Sequence, residues 1–253
     1  MLKRDYQKFN NKKTLFKIFL EFFGNLFFTY CVIVGLALIL FSSVTLECVV
    51  KGASMQPTLN NYTGNQNDIV FVNVHDKDLT YGDIVVCKTD DALNNSIIKR
   101  VIGLPYDIID IVEVDNEYKL ELNGKIIEED YIYISQDPRV PTFNRNGMEH
   151  TYDKFNSLKL NKPELFDKNG KLMVPNDSIF VLGDNRNVCV DSASLGTFTY
   201  DEIEGKVELI KYSDTSSFLF YYNYIVQGKF IKTLLNIFWL TEEKWKRTFT
   251  QSF

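Results

Sequence analysis

A serine that could act as a nucleophile lies in the segment KGASMQPTL, residues 51–59. A serine hydroxyl needs a base to take its proton, and histidine most often fills that role. The chain of 253 residues contains only two histidines, His75 and His150, so a Ser-His pair is disfavoured. Considered alone, this segment favours a turn residue just after the long apolar run that precedes it over a nucleophile.

Lys99 is a candidate for the missing base. A lysine amine is neutral at working pH only if its pKa falls several units below about 10.4, and burial among apolar groups lowers it in this way. The four apolar residues around it in SIIKRVIGLP are Ile97, Ile98, Val101 and Ile102. Strand alternation would send Lys99 and Arg100 to opposite faces, so one could enter a site while the other pairs with an acid. The competing interpretation is an edge-strand lysine that discourages aggregation.

A third polar cluster is VLGDNRNVCVDSASLG, residues 181–196. An apolar strand runs into a Gly-Asp-Asn turn, and Arg186, Asp191 and Ser192 follow within a few residues. Such density of polar groups is typical of a hydrogen-bonded loop beside a site. A calcium loop is disfavoured by Arg186 and by the spacing of the acids. A purely structural loop is the other alternative.

The order of these segments resembles the type I signal peptidases, membrane-bound Ser/Lys proteases that cleave leader peptides. The block GASMQPTL (52–59) is similar to the nucleophile box and assigns the nucleophile to Ser54. The block IIKRVIGLPYD (97–107) is similar to the general-base box and assigns the base to Lys99. Two further blocks, YGDIVVCK (81–88) and residues 181–196, resemble the structural box and the last box. The resemblance covers most of the chain outside about 113–175 and the C-terminal tail.

The resemblance also implies a set of supporting residues around the pair. They are Gly52, Met55, Pro57, Arg100, Asp184, Arg186, Cys189, Asp191 and Ser192. Gly52 has no hydroxyl, so the oxyanion would depend largely on the Ser54 backbone N–H. Met55 is equally compatible with the substrate pocket, the membrane face and the core.

Three residues depart from the family pattern. Tyr106 stands at a turn position where the family usually has glycine, and Cys189 replaces a serine thought to hydrogen-bond the base lysine. Ala193 replaces an arginine that would pair with Asp191. We therefore expect Asp191 to use another cation, with Arg186 as the candidate, and Asp184 to pair with Arg100.

An apolar run near the N-terminus is long enough to cross a membrane. Residues 22–46 contain 25 residues without a charge, and a spanning helix needs about 20. A cleaved secretory signal fits less well, because such h-regions are about 7–15 residues long and no A-x-A site follows. Six basic residues against one acid in residues 1–20 predict a cytoplasmic N-terminus.

The remainder of the chain predicts an antiparallel β domain. Seven runs rich in β-branched residues have strand patterns: 68–74, 83–88, 97–103, 108–114, 118–122, 178–182 and 205–212. Asn123-Gly124 lies between two apolar runs and predicts a hairpin. The fold class is mainly β, with an N-terminal transmembrane helix, an extracytoplasmic antiparallel catalytic sheet and an inserted β-rich excursion.

These patterns divide the chain into five regions. They are a cytoplasmic basic segment (1–21), the anchor (22–46), a catalytic β domain (47–112 and 176–215), a non-catalytic hairpin and loop insertion (113–175) and an apolar tail (216–253). Residues 135–175 are expected to be polar and irregular. Residues 217–240 could form a packed helix, an interfacial helix or, less favoured because of Lys229 and Lys232, a second span.

Composition excludes several classes of protein. The net charge is −5, and the body after the basic N-terminus is acidic, which disfavours a nucleic-acid binder. The four cysteines are Cys31, Cys48, Cys87 and Cys189. They form no CxxC pair, so neither a zinc site nor a disulfide framework is predicted, although one disulfide among the last three stays open. No cofactor is expected.

The function implied by the resemblance is that of a membrane-bound serine endopeptidase of the plasma membrane. It would cleave signal peptides from secretory preproteins that carry small residues before the cut. Membrane lipid and the protein translocation machinery are the other expected partners. The alternatives are a self-cleaving Ser/Lys repressor, whose DNA-binding domain would stand where this chain has an anchor, and an anchored β-rich scaffold with weakened catalysis.

Overall fold

The structure is a computed structural model that describes residues 17–36, 39, 45–61, 67–89, 96–136, 145–214 and 216. The chain separates into two compact units, residues Met1–Val44 and Thr45–Phe253. Apart from residue 216, the predicted C-terminal tail (216–253) lies outside the described residues, and so does the possible helix at 217–240.

The described part of the first unit contains the apolar helix α1 (Lys17–Leu36). The mean hydropathy of this helix is 1.8 over an 18-residue window. By length and composition, the helix could cross a membrane. The helix begins five residues before the predicted start at Phe22. The predicted end at Leu46 is wrong, because Thr45 and Leu46 lie in a strand of the second unit. The apolar run therefore includes the first strand of the β domain.

The second unit is built on antiparallel strands. Their bounds are β1 (Thr45–Val49), β2 (Ile69–Asn73), β3 (Ile84–Lys88), β4 (Ser96–Gly103), β5 (Ile108–Val114), β6 (Glu117–Leu122), β7 (Lys125–Ile126), β8 (Leu172–Met173), β9 (Ser178–Leu182), β10 (Phe198–Thr199) and β11 (Ile203–Lys211). A seven-stranded sheet has the order β1-β2-β11-β3-β4-β9-β10, and a four-stranded sheet has the order β7-β6-β5-β8. The mainly β prediction is confirmed, and all seven predicted strands are present within two residues of their expected bounds.

Two tight turns connect consecutive strands of the smaller sheet. Asn123 and Gly124 join β6 to β7 with φ angles of 53° and 78°, as the Asn-Gly pair predicted. Asp115 and Asn116 join β5 to β6 with φ angles of 53° and 65°. Both turns have positive φ at each central residue, as the twist of a two-residue hairpin requires.

The prediction of an irregular stretch over 135–175 is wrong. Helix α2 (Met148–Asn161) and a short 3₁₀ helix (Pro163–Leu165) occupy part of it. Met148, Thr151, Phe155 and Leu158 form the buried face of α2, and the first, third and fourth belong to one apolar core with strands of the smaller sheet. The insertion is thus packed into the same compact unit as the catalytic strands.

Tyr106 takes a left-handed conformation, with a φ of 71°, in the turn between β4 and β5. Its side chain is 71% exposed, so little packing compensates for this backbone conformation. The turn therefore has the geometry of the glycine that the family pattern favours, although a tyrosine occupies it. A non-glycine residue with this φ costs about 1–2 kcal/mol.

We expect Tyr106→Gly to stabilise the protein by up to about 1 kcal/mol, because relief of the left-handed strain exceeds the added flexibility of glycine in the unfolded chain. Urea unfolding of the full-length protein in detergent measures the change. Tyr106→Ala is the matched control, since it removes the ring but keeps the Cβ and the strain. A lower unfolding midpoint for Tyr106→Gly than for Tyr106→Ala would contradict this prediction.

Candidate active site

Ser54 lies in a turn that follows β1 and precedes β2. Gly52 opens the turn with a φ of 81°, a conformation that favours glycine. Met55 and Leu59 are fully buried and anchor the turn in a core with residues of β2 and β3. Met55 is therefore a core residue, and the peptide bond between Gln56 and Pro57 is cis. Ser54 is held by the buried side chain that follows it.

Paired hydrogen bonds close the base of this turn. The Asn60 N–H donates to Asp68 Oδ2 at 2.7 Å, and the Asp68 N–H donates to Asn60 Oδ1 at 2.8 Å. Asn60 Nδ2 also donates to the carbonyls of Val50 and Gly52. The two ends of the nucleophile turn are thereby joined to the entry of β2.

Lys99 reaches Ser54 from the middle of β4. Its Nζ lies 3.0 Å from Ser54 Oγ and also donates to the Ile98 carbonyl at 2.7 Å. The side chain is 2% exposed, and β4 pairs with β3 beside it, Lys99 facing Val85. Burial lowers the pKa of Lys99 below the ordinary lysine value, and the negative charge of Asp191 opposes this effect. The geometry places a proton acceptor against the serine hydroxyl.

Arg100 points to the other face of β4 and pairs with Asp184, as predicted. Its Nε and Nη2 donate to the two carboxylate oxygens at 2.8 and 2.6 Å, and Asp184 is fully buried. Thr58 joins the pair by donating to Asp184 and accepting from Arg100. The guanidinium also lies 4.1 Å from the centre of the Tyr131 ring. This bidentate pair connects β4 with the loop after β9.

The loop after β9 holds the nucleophile turn directly. The Asn185 N–H donates to the Ser54 carbonyl at 3.0 Å. A Cβ on Gly183 would lie 2.6 Å from that same carbonyl oxygen and 2.6 Å from the Cβ of Cys189. Only glycine lets the loop approach so closely. The position of Ser54 thus depends on this loop as well as on its own turn.

Cys189 and Asp191 form a second buried group near Lys99. The Cys189 thiol donates to Asp191 Oδ2 at 2.6 Å, and burial raises the thiol pKa to about 12, so it keeps its proton at neutral pH. Asp191 also accepts from the N–H groups of Gly183 and Ala193. The bond from Ala193 makes Asp191 the N-cap of the short helix α3 (Ser192–Leu195).

The expected pair between Arg186 and Asp191 is not formed. Arg186 is fully buried, and its guanidinium donates to Glu129 and to the Gly183 carbonyl. Asp191 instead accepts hydrogen bonds from one thiol and two backbone N–H groups, which satisfy its buried carboxylate. The Cys189 thiol likewise contacts Asp191, where the family pattern suggested a bond to the lysine.

Ser192 contributes to the structure around the site. Ser192 Oγ accepts from the Val181 N–H at 2.9 Å and so joins α3 to β9. The four cysteines, Cys31, Cys48, Cys87 and Cys189, are free, which answers the question about a disulfide. Among the described residues, no group of three or more His, Cys, Asp or Glu residues could hold a metal ion.

Several residues around the site were missed from sequence. Glu129, Tyr131 and Lys154 lie in the insertion that was predicted to be non-catalytic, yet they contact Arg186, Arg100 and the Cys189 carbonyl. The N–H of Tyr133 also donates to the Asp184 carbonyl at 2.9 Å. Thr58 lies inside the nucleophile block and could have been found there. The insertion therefore supports the site by contacting residues that hold the catalytic pair in place.

A cleft of about 600 Å³ opens over Ser54 and Lys99. Its walls come from the end of β1 and the nucleophile turn, from the first half of β4, and from the loop after β9. The lining residues include Val49, Val50, Gly52, Ala53, Ile97, Ile98, Val188 and Val190. Within the described part of the chain, the Ser54 N–H has no hydrogen-bond acceptor, so it is available to a bound group.

A serine hydroxyl against a buried lysine amine, in an open cleft of an antiparallel β domain, is the arrangement of a serine hydrolase that uses lysine as its base. The family model described as "Signal peptidase, peptidase S26" matches residues 23–212. The chain belongs to this family and is a serine endopeptidase that cleaves signal peptides. Family membership and the apolar helix α1 together indicate that it is anchored in a membrane.

Curated proteins from three bacteria are similar to this chain. Signal peptidase I S of Bacillus subtilis (strain 168) is 35% identical over 74% of this chain and 83% of its own length. Signal peptidase I of Streptococcus pneumoniae (strain R6) is 34% identical over 77% and 93%. Signal peptidase IB of Staphylococcus aureus (strain COL) is 32% identical over 62% and 73%.

We expect Gly183→Ala to lower kcat on the order of 10²-fold, because the new methyl group displaces the nucleophile turn and misplacement of about 1 Å has this effect. Initial rates with a leader-peptide substrate measure it. Gly24→Ala in α1 is the control, since a Cβ there meets nothing within 4 Å. A kcat equal to that of the wild type would contradict the role of this close approach.

The pH dependence of kcat/KM should follow the Lys99 amine. Because burial lowers its pKa, we expect activity to rise with pH through a limb centred below 10.5 and then to level off. Asp191→Asn removes the charge that opposes this effect, so its limb should move to lower pH. A limb at or above 10.5 for the wild type, or an upward shift for Asp191→Asn, would argue against Lys99 as the base.

Proposed function

We propose that Ser54 is the nucleophile and Lys99 the general base of signal-peptide cleavage. The observation that carries this assignment is the 3.0 Å distance between Lys99 Nζ and Ser54 Oγ, with the amine 2% exposed. Neutral Lys99 takes the hydroxyl proton as Ser54 Oγ attacks the scissile carbonyl carbon. The lysine then gives that proton to the leaving amine, and an acyl-enzyme remains on Ser54. Lys99 next activates a water that releases the acyl group.

The Ser54 N–H is the proposed donor to the oxyanion. It is unbonded within the described residues, and its own carbonyl is fixed by the Asn185 N–H. A donor held in place before the reaction stabilises the developing charge without reorganisation. Gly52 contributes no hydroxyl at this position, so the backbone donor carries more of the stabilisation.

The remaining polar groups act as positioning residues. Arg100 and Asp184 join β4 to the loop after β9, and that loop holds the Ser54 carbonyl. Cys189 and Asp191 form a buried pair whose charge acts on the Lys99 amine. Neither pair touches the reacting serine, so their effect on catalysis is transmitted through Lys99 and the turn.

The substrate is proposed to bind as an extended strand beside β4. Among the described residues, Ser96–Lys99 pair with β3 on one side only, because β9 begins to pair at Arg100. This open edge borders the cleft, and main-chain hydrogen bonds to such an edge give affinity while side-chain pockets give specificity. Shallow pockets lined by residues such as Ala53 and Ile98 would accept the small residues before the cut.

The proposed orientation places the N-terminus in the cytoplasm and the β domain outside. Six basic residues precede or begin α1, and positive charge is retained on the cytoplasmic side. Residues 1–21 would then be cytoplasmic, and the β domain would meet preproteins as they leave the translocation machinery at the plasma-membrane lipid. The insertion and the tail of the predicted domain plan would lie on the outer side as well.

Ser54→Ala and Lys99→Ala should each reduce kcat/KM for a preprotein by about 10⁴-fold or more, since each removes one half of a catalytic unit. Cleavage of a radiolabelled preprotein by full-length protein in detergent measures this. Ser157→Ala on α2 and Lys125→Ala in β7 are matched controls, because both residues lie on the surface away from the cleft. Retained cleavage by either dyad variant, with a native circular dichroism spectrum, would refute the assignment.

A further inference from the structure

The loop that follows β9 alternates between exposed and buried residues. Val188 and Val190 are 58% and 56% exposed, whereas Cys189 and Asp191 are 2% and 0% exposed. An alternation of period two places the first pair on one side of the segment and the second pair on the other. The inner side holds the thiol and carboxylate near Lys99. The outer side presents two aliphatic side chains.

Both valines line the same cleft as the reactive pair. Val188 and Val190 form part of its wall together with Ser54 and Lys99. A single exposed valine on a protein surface needs no explanation. Two that converge on a cleft, one on each side of a buried position, form an apolar surface that water contacts unfavourably until a ligand covers it.

The loop holds these valines in fixed positions. Lys154 of α2 donates to the Cys189 carbonyl, and Asp191 caps α3 through the Ala193 N–H. Asn185, earlier in the same loop, donates to the Ser54 carbonyl. The wall is therefore tied to the nucleophile itself, and a preorganised surface loses little entropy when it binds.

One part of the cleft wall, at Ser96 and Glu204, is polar, in contrast to the apolar residues that line most of the cleft. Ser96 at the start of β4 donates to Glu204 at 2.7 Å, and both residues line the cleft. That part of the wall offers a charged, hydrogen-bonding surface. An aliphatic substrate side chain is favoured against the valines and disfavoured near the carboxylate. The aliphatic contact is therefore expected along the apolar walls away from Glu204, and the loop after β9 forms one of these walls.

We propose that Val188 and Val190 are specificity-determining residues that bind the aliphatic side chain of a substrate residue close to the scissile bond. This rests on the proposed function, since it assumes that the substrate lies in the cleft over Ser54. The chemical class selected is an aliphatic residue, such as leucine or valine, over a polar residue of similar size. The contact is present in the ground state and the transition state alike, so it acts mainly on KM.

The test uses full-length protein in detergent and a series of otherwise identical leader peptides. In each pair of peptides, one position on either side of the cut carries leucine or asparagine. We expect at least one position at which the wild type prefers leucine by about tenfold in kcat/KM, the scale of one aliphatic contact. In the double variant Val188→Asn, Val190→Asn the preference at that position should fall to about twofold or less, through a higher KM for the leucine peptide.

Ile126→Asn is the matched control, because Ile126 is an exposed branched residue of β7 outside the cleft. It should leave the preference and the rate unchanged. An unaltered leucine preference in the double variant, or an equal loss of kcat on both peptides, would overturn the proposal and leave the dyad assignment intact. Failure of the wild type to cleave any peptide of the series would overturn both.

Discussion

A lysine amine buried against a serine hydroxyl is the interaction on which the rest of this structure depends. An ammonium in an apolar strand is unfavourable, so the protein environment selects the neutral amine that the chemistry needs. That selection works only if Lys99 stays dry and Ser54 stays within hydrogen-bonding distance. The core beneath Met55 and the pairing of β4 with β3 supply these two conditions.

The alternation of side chains along β4 separates catalysis from support. Lys99 faces the cleft, while its neighbour Arg100 faces the opposite side and forms a bidentate pair with Asp184. The loop that carries Asp184 then returns to the cleft, where Asn185 fixes the Ser54 carbonyl. Strand β4 and the loop after β9 thus hold the site together through contacts on both sides of the sheet. The buried pair of Arg100 and Asp184 therefore maintains this geometry from the face of β4 that lies away from the substrate.

Sequence predicted the strands better than the contacts between distant elements. The seven strands and the Asn123-Gly124 turn follow from β-branched alternation and from a residue pair with a strong turn preference. Helix α2 was missed because its buried residues are separated by many polar ones, and β1 because its sequence continues an apolar run. The partner of Arg186 could not be predicted, since Glu129 lies 57 residues away and many acids were equally available.

The reciprocal bonds between Asn60 and Asp68 have a consequence for how this protein can be altered. These bonds close the base of the nucleophile turn. The catalytic geometry therefore does not depend on the number of residues between Asn60 and Asp68. Long insertions cost little loop entropy once the ends of a segment are joined. An epitope or a fluorescent reporter could thus be inserted between residues 60 and 68. It would lie close in sequence to Ser54, the residue that it would monitor.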